Sequence, residues 1–194
     1  MKENTYWDKN CGKLYQYNET KAIDEVCNLI IKNCESVFEA SCGSGIIPTV
    51  LRKKGFKGKY VGSDYCQVFL TGAKENNPTE EFIEVDLSQP IPLLDNSFDC
   101  CVVNHGLEYV YPYELALSEL KRIATKFIFL VFWIDFTEKD LIRFNEQGSW
   151  QVNYYSRQKF YATLKKLNLE PIVSHLINNN GKINYLYIFN LWKK

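Results

Sequence analysis

The chain has 194 residues, a hydrophobic fraction of 46%, and equal numbers of basic and acidic side chains, 23 of each. This length and composition are those of an ordinary globular domain with a sizeable core, and the balanced charge argues against a nucleic-acid-binding surface. The longest apolar run, 127–134, is too short to cross a bilayer. We therefore expect one cytoplasmic domain over 1–194, without a nucleic-acid or membrane partner. Its oligomeric state is not indicated.

The seven cysteines have neither the two-residue spacing of a zinc site nor the even number of a disulfide framework. We expect reduced thiols that act as small buried hydrophobic side chains, and no metal site.

The first 17 residues hold several aromatic rings without a clear period, which predicts an irregular arm. Thr20 can cap the following helix, whose apolar side chains recur every three or four residues over 23–31. The rings of the arm either pack on the core or cover a ligand, and both interpretations stay open.

A predicted buried strand ends at Val37 and Phe38, and a glycine-rich turn with Gly43 and Gly45 leads into a helix over 46–54. Such a junction can bring bare backbone against a ligand. Dinucleotide sites use the same device, as do structural turns without a ligand, so the turn alone does not decide the function.

Two further predicted strands end in carboxylates. The first covers 59–64 and ends at Asp64, and the second covers 82–86 and ends at Asp86. Ligands of open α/β sheets bind outside the carboxyl ends of the strands, so Glu39, Asp64 and Asp86 should face one crevice.

Strands and helices continue to alternate through a strand at 98–104, a helix at 114–123 and a strand at 127–134. Residues 135–155 break this alternation with aromatic side chains set among charges, which predicts an insertion over the carboxyl ends of the strands. A helix then begins at Arg157. The strong turn at 178–181 joins the last two strands, which must be antiparallel because parallel neighbours need a longer crossover.

The turn at 39–45, Asp64, Asp86 and the stretch 96–110 together resemble the ordered motifs of the class I S-adenosylmethionine-dependent methyltransferases, over about residues 20–192. The resemblance implies an α/β fold with a Rossmann-like, doubly wound, seven-stranded sheet, mostly parallel with an antiparallel C-terminal strand. It also implies S-adenosylmethionine as the cofactor and S-adenosylhomocysteine as the product.

By this resemblance, Asp64 would bind the ribose hydroxyls, Asp86 with Leu87 would meet the adenine, and the loop backbone would lie along the amino acid and ribose. Glu39 would hold the loop and the ammonium group. The full set of implied cofactor residues is Tyr6, Trp7, Tyr15, Glu39, Ala40, Ser41, Cys42, Gly43, Gly45, Asp64, Tyr65, Asp86, Leu87, Asn104 and His105.

The sequence departs from the family pattern at two loop positions. Ser41 stands where glycine is usual, and Glu39 stands where aspartate is commoner. A serine is tolerated there at negative φ but is costly at positive φ. We expect this departure to affect the affinity for the cofactor.

Methyl transfer from a sulfonium is an in-line displacement that needs alignment more than covalent help. His105 and Glu108 are the candidate catalytic bases, while His175, in the middle of a predicted strand, has a structural interpretation. We expect a small-molecule acceptor, methylated at oxygen or, second, at nitrogen. The alternatives are a nicotinamide-dependent oxidoreductase and a non-catalytic protein that binds the cofactor or a partner.

Overall fold

The computed structural model describes residues 20–144, 151–179 and 182–192. The predicted aromatic arm, with Tyr6, Trp7 and Tyr15, lies outside the described residues, so its roles stay predictions. Within these ranges no helix has the length and apolar character that crossing a bilayer requires.

The helices are α1 (Lys21–Asn33), α2 (Ile46–Lys53), α3 (Gln67–Asn76), α4 (Glu114–Ile123) and α5 (Arg157–Lys166). The strands are β1 (Ser36–Ala40), β2 (Lys59–Asp64), β3 (Glu81–Glu84), β4 (Phe98–Asn104), β5 (Ala124–Phe132), β6 (Leu141–Phe144), β7 (Gln151–Tyr154), β8 (Pro171–Asn179) and β9 (Lys182–Asn190). A short 3-10 turn covers Leu107–Tyr109.

Seven strands form one sheet in the order β3-β2-β1-β4-β5-β9-β8. Neighbours from β3 to β5 are parallel, while β9 is antiparallel to both β5 and β8. The predicted Rossmann-like fold and its antiparallel C-terminal strand are therefore confirmed. The terminal hairpin stays paired as far as Asn179 and Lys182, which is further than the sequence predicts.

Both faces of the sheet are covered. Val37 and Phe38 point to opposite sides and join different hydrophobic clusters, as the period of two in a strand requires. Thr20 caps α1 by accepting a hydrogen bond from Ile23 N–H at 3.2 Å, and the apolar face of that helix packs on the Val37 side. Burial on both faces explains why the central strands are almost continuously apolar.

The predicted insertion contains an antiparallel hairpin of β6 and β7. Its flanks belong to the core, because the ring of Phe136 lies 4.7 Å from that of Phe160 and the ring of Tyr155 lies 4.4 Å from that of Tyr113. The exposed part is β6, where Phe144 keeps 63% of its surface in solvent. Core packing therefore explains the aromatic side chains at the base of the insertion.

Candidate active site

The strands β2, β1 and β4 are neighbours, and their carboxyl ends lie at one edge of the sheet. Ala40 pairs with Ser63 of β2 and with Val103 of β4, so the residues that come next, Ser41, Asp64 and Asn104, lie at neighbouring positions on this edge. This edge is where open α/β sheets bind their ligands. The structure thus brings together residues that lie far apart in the sequence.

The glycine-rich loop is folded by three residues in the left-handed region: Ser41 with φ 64°, Gly43 with φ 53° and Gly45 with φ 80°. The loop is tied to the sheet by a hydrogen bond of 2.7 Å from Cys42 N–H to Ser63 C=O. Left-handed backbone costs a non-glycine residue about 1–2 kcal/mol. The serine in place of the usual glycine is therefore a strained position.

Asp64 uses both carboxylate oxygens to hold backbone. Its Oδ2 accepts a hydrogen bond from Gly43 N–H at 3.0 Å, and its Oδ1 accepts one from Cys66 N–H at 2.9 Å. Burial raises the pKa of Asp64, and these backbone donors oppose that shift. The carboxylate therefore ties the glycine-rich loop to the turn before α3, and the ribose role stays a prediction because each oxygen can accept more than one hydrogen bond.

Glu39 lies buried at 1% exposure, and its carboxyl accepts a hydrogen bond from the Tyr60 hydroxyl. Burial raises the pKa of Glu39 to about 8, while the bond from Tyr60 opposes the shift. The side chain of Glu39 is therefore held by β2. Tyr60 carries no sequence signal for this role, because the contact depends on the register of two strands.

Asn77 fixes the far end of the loop. Its buried side chain donates to Gly45 C=O at 3.0 Å and accepts from Thr49 Oγ1 at 2.9 Å. A Cβ at Gly45 would lie 2.6 Å from Asn77 Nδ2, so this contact needs the bare backbone of glycine. From the sequence alone, Asn77 is recognised only as part of the segment that ends a helix.

The adenine side of the predicted site is more open. Asp86 is exposed, and its Oδ1 accepts bonds from Ser88 N–H at 2.8 Å and Ser88 Oγ at 2.7 Å. Leu87 is buried, whereas Tyr65 keeps 38% of its surface exposed. Asp86 comes two residues after β3 ends, and not at the strand end that the sequence predicts.

Asn104 is the last residue of β4, and His105 follows it at the same edge. His105 has φ 55°, and its Nε2 lies 2.5 Å from Asn184 Oδ1 of β9. Burial lowers the pKa of His105, which favours the neutral ring near pH 7. In that state Nε2 carries the proton toward Asn184, and Nδ1 can accept a proton.

Glu108 lies in the 3-10 turn with no exposed surface. Its Oε1 accepts a hydrogen bond from Trp133 N–H at 2.9 Å, and burial raises its pKa to about 8. The Tyr155 hydroxyl reaches the backbone carbonyls of Leu107 and Val110 on either side. The insertion therefore holds this turn against the end of β4.

The predicted site residues fall into three groups. The glycine-rich loop network contains Glu39, Ala40, Ser41, Cys42, Gly43, Gly45 and Asp64; beside it lie Tyr65, Asp86 and Leu87; and at and after the end of β4 lie Asn104, His105 and Glu108. The side chains of Ala40 and Cys42 are buried, so these two residues offer mainly backbone. Their individual roles toward a cofactor or acceptor stay predictions.

A family model described as a methyltransferase domain matches residues 38–131. The chain is also 30% identical over 175 residues to the ubiquinone/menaquinone biosynthesis C-methyltransferase UbiE of Campylobacter jejuni, a match that covers 88% of this chain and 68% of that protein. The chain belongs to the class I S-adenosylmethionine-dependent methyltransferase family. The family predicted from the motifs is thereby confirmed, and the nicotinamide-dependent alternative is not supported.

Two further methyltransferases are similar to this one. The malonyl-[acyl-carrier protein] O-methyltransferase of Buchnera aphidicola is 26% identical over 152 residues, covering 75% of this chain and 60% of that protein. The structure of 1,6-didemethyltoxoflavin-N1-methyltransferase from Burkholderia thailandensis superposes with a TM-score of 0.73 at 11% identity, over 96% of this chain and 86% of that chain. This last likeness shows the fold. The two sequence relatives are named for methylation at carbon and at oxygen, so their names do not agree on an acceptor atom.

Proposed function

We propose that this methyltransferase transfers a methyl group from S-adenosylmethionine to the oxygen of a small-molecule acceptor. The observation that carries the proposal is the edge where Asp64, Ser41 and Asn104 lie side by side. It supplies a carboxylate, a glycine-rich loop and a polar strand end next to one another. By the family resemblance, these groups would meet the ribose, the amino-acid portion and the region of the methyl group.

The residues present fit the cofactor. The carboxylate of Asp64 is held in place by two backbone donors, so it is positioned to accept hydroxyl groups as well. Gly43 has open space where a Cβ would be, which lets a ligand approach the backbone. We therefore assign the ribose to Asp64 and the amino-acid portion to the loop.

S-adenosylmethionine, when bound, supplies a methyl group on a positively charged sulfur, which leaves readily. The chain's own work is to align the acceptor and exclude water. His105, neutral and oriented by Asn184, is the proposed proton acceptor for a hydroxyl. Glu108 is the second candidate for that role, and it would have to ionise first, because burial raises its pKa to about 8.

Carbon is the second candidate acceptor atom, because the relative that matches 88% of this chain is named a C-methyltransferase. An enol or a similar hydroxyl compound can react at oxygen or at the neighbouring carbon. Both outcomes therefore require a group that loses or shares a hydroxyl proton in the site.

The test is a screen of small molecules with isotopically labelled S-adenosylmethionine, read by the formation of S-adenosylhomocysteine. The chemical shift of the labelled methyl carbon in the product then separates an O-methyl from an N-methyl or C-methyl group. We expect an O-methyl product, and a C-methyl or N-methyl product would overturn the choice of atom. Tight cofactor binding without turnover on any acceptor would favour the non-catalytic alternative.

A further inference from the structure

Buried polar atoms without partners gather in one part of the structure. Among the described residues, the buried side-chain nitrogen and oxygen atoms that reach no hydrogen-bond partner belong to Asn104, Glu108 and Asn153. Asn104 ends β4, Glu108 follows in the 3-10 turn, and Asn153 lies on β7, which packs against that turn. Nearly all buried polar groups in proteins are paired, because an unpaired one costs free energy. Three such residues around one turn indicate a place prepared for a ligand.

Only one of the two carboxyl oxygens of Glu108 has a hydrogen-bond partner. Its Oε1 is bonded to Trp133 N–H, while Oε2 is buried without a partner. Burial raises the pKa of this carboxyl to about 8, against the opposing backbone N–H groups of Glu108 and Trp133. Near pH 7 the group is therefore mostly neutral, and Oε2 can donate or accept a hydrogen bond.

Asn153 is unpaired on both side-chain atoms, although only 1% of the residue is exposed. Asn153 lowers the pKa of the Tyr155 hydroxyl in the direction of a weak hydrogen bond between them, although neither side-chain atom of Asn153 has a partner at normal hydrogen-bond distance and angle. Glu108 acts on the same hydroxyl and raises its pKa, although burial is the largest cause. The Tyr155 hydroxyl donates to the carbonyls of Leu107 and Val110, which flank Glu108, and Asn153 lies two residues before Tyr155 on the strand that packs against this turn.

We propose that Glu108 and Asn153 form the polar end of the acceptor subsite and bind an uncharged hydroxyl group of the acceptor. A neutral carboxyl and an amide each donate and accept hydrogen bonds, as a hydroxyl does. An anionic acceptor would need a cation here, and an ammonium group would need an ionised carboxylate. The inference rests on the proposed function, because it gives this subsite to the molecule that receives the methyl group.

The first test needs no ligand. Asn153→Leu replaces an unpaired buried amide by an apolar side chain of similar size, so we expect Tm to rise by about 2–4 °C. Asn77→Leu is the matched control, because Asn77 is also buried but its amide is fully bonded, and this change should lower Tm. A loss of Tm in Asn153→Leu equal to that of the control would overturn the proposal.

The second test uses three probes that share one aromatic ring: phenol, benzoate and benzylamine. Each is titrated into protein saturated with S-adenosylhomocysteine. We expect phenol to bind and both charged probes to bind more weakly. We also expect Asn153→Leu and Glu108→Leu to weaken phenol binding about tenfold, with Glu108→Gln retaining most of it.

Equal or tighter binding of benzoate or benzylamine would overturn the proposal, as would undetectable phenol binding or unchanged phenol affinity in both leucine variants. S-adenosylhomocysteine affinity is measured in parallel for every variant. Failure of the wild-type protein to bind S-adenosylhomocysteine would count against the proposed function itself. The failure of the proposed function and the failure of the subsite proposal are therefore distinguishable.

Discussion

Ser41 and Gly106 share space that only one side chain can occupy. A Cβ at Gly106 would lie 2.4 Å from the Cβ of Ser41 and 2.5 Å from its Oγ. Gly106 has φ −112°, which an ordinary residue adopts without strain, so the contact with Ser41 is what requires glycine there. The side chain of Ser41, at the family's usual glycine position, therefore fits because Gly106, just after the end of β4, has no side chain.

This relationship predicts a coupled pair of substitutions. Gly106→Ala should lower Tm by several degrees, because overpacking costs about 1–3 kcal/mol, and should weaken cofactor binding by displacing the loop. Adding Ser41→Gly removes the clash and the left-handed strain, so the double variant should recover most of the loss. A double-mutant cycle on unfolding free energies is the measurement. Additive effects of the two changes would contradict the coupling.

The raised pKa of Glu108 predicts a pH dependence of stability with a definite sign. The folded state keeps this carboxyl protonated up to about pH 8, while the unfolded chain ionises near the ordinary value of 4.5. The folded state therefore binds more protons over this window, and stability contributed by the group is lost as pH rises from about 4.5 to 8. Glu108→Gln removes this dependence, so its unfolding free energy relative to the wild type should increase from pH 5 to pH 8.

Glu119→Gln is the control for that experiment. The hydrogen bond with Arg122 lowers the pKa of Glu119, so its contribution is complete above pH 4.5 and is lost only in more acidic solution. The difference between Glu119→Gln and the wild type should therefore stay flat from pH 5 to pH 8. A flat difference for Glu108→Gln as well would show that Glu108 ionises normally.

The fold could be predicted from the sequence because its signals are local or periodic. The glycines at 43 and 45, the carboxylate at 64 and the terminal turn each specify a backbone feature or strand end, and the sheet order follows from the family motifs. These features require no knowledge of which side chains meet across strands.

Side-chain partners could not be predicted in the same way. The contacts of Tyr60 with Glu39 and of Asn184 with His105 join residues 21 and 79 positions apart. They depend on strand register and on the route of the terminal hairpin, which a single sequence does not specify to one residue. The sequence shows that a serine at position 41 is costly only at positive φ, and the observed φ of 64° means that this cost is incurred.

The hairpin of β6 and β7 is expected to change on ligand binding. Leu141, Ile142 and Phe144 expose 42%, 46% and 63% of their surface, and a two-stranded ribbon is marginally stable alone. We predict that S-adenosylhomocysteine slows amide exchange in this hairpin and in residues 1–17. Residues 36–40, in the buried β1, serve as the control. Equal exchange with and without the ligand would favour a fixed hairpin and an arm that does not cover the site.

Asp64 combines a structural role with a proposed binding role. It holds backbone at Gly43 and Cys66, and it is the proposed ribose ligand. Asp64→Ala should therefore lower both Tm and cofactor affinity, whereas Asp64→Asn keeps an oxygen acceptor and most of the shape. Asp95→Ala, at an exposed carboxylate paired with Arg122, is the surface control and should leave affinity unchanged.

The most direct measurement is calorimetric titration of the wild-type protein and Asp64→Ala with S-adenosylmethionine, S-adenosylhomocysteine and NAD. We expect both sulfur nucleosides to bind the wild type and NAD not to bind. Loss of two charge-assisted hydrogen bonds in Asp64→Ala should weaken the sulfur nucleosides on the order of a hundredfold. Tighter binding of NAD than of either sulfur nucleoside, or unchanged affinity in Asp64→Ala despite a lowered Tm, would contradict the proposed cofactor site.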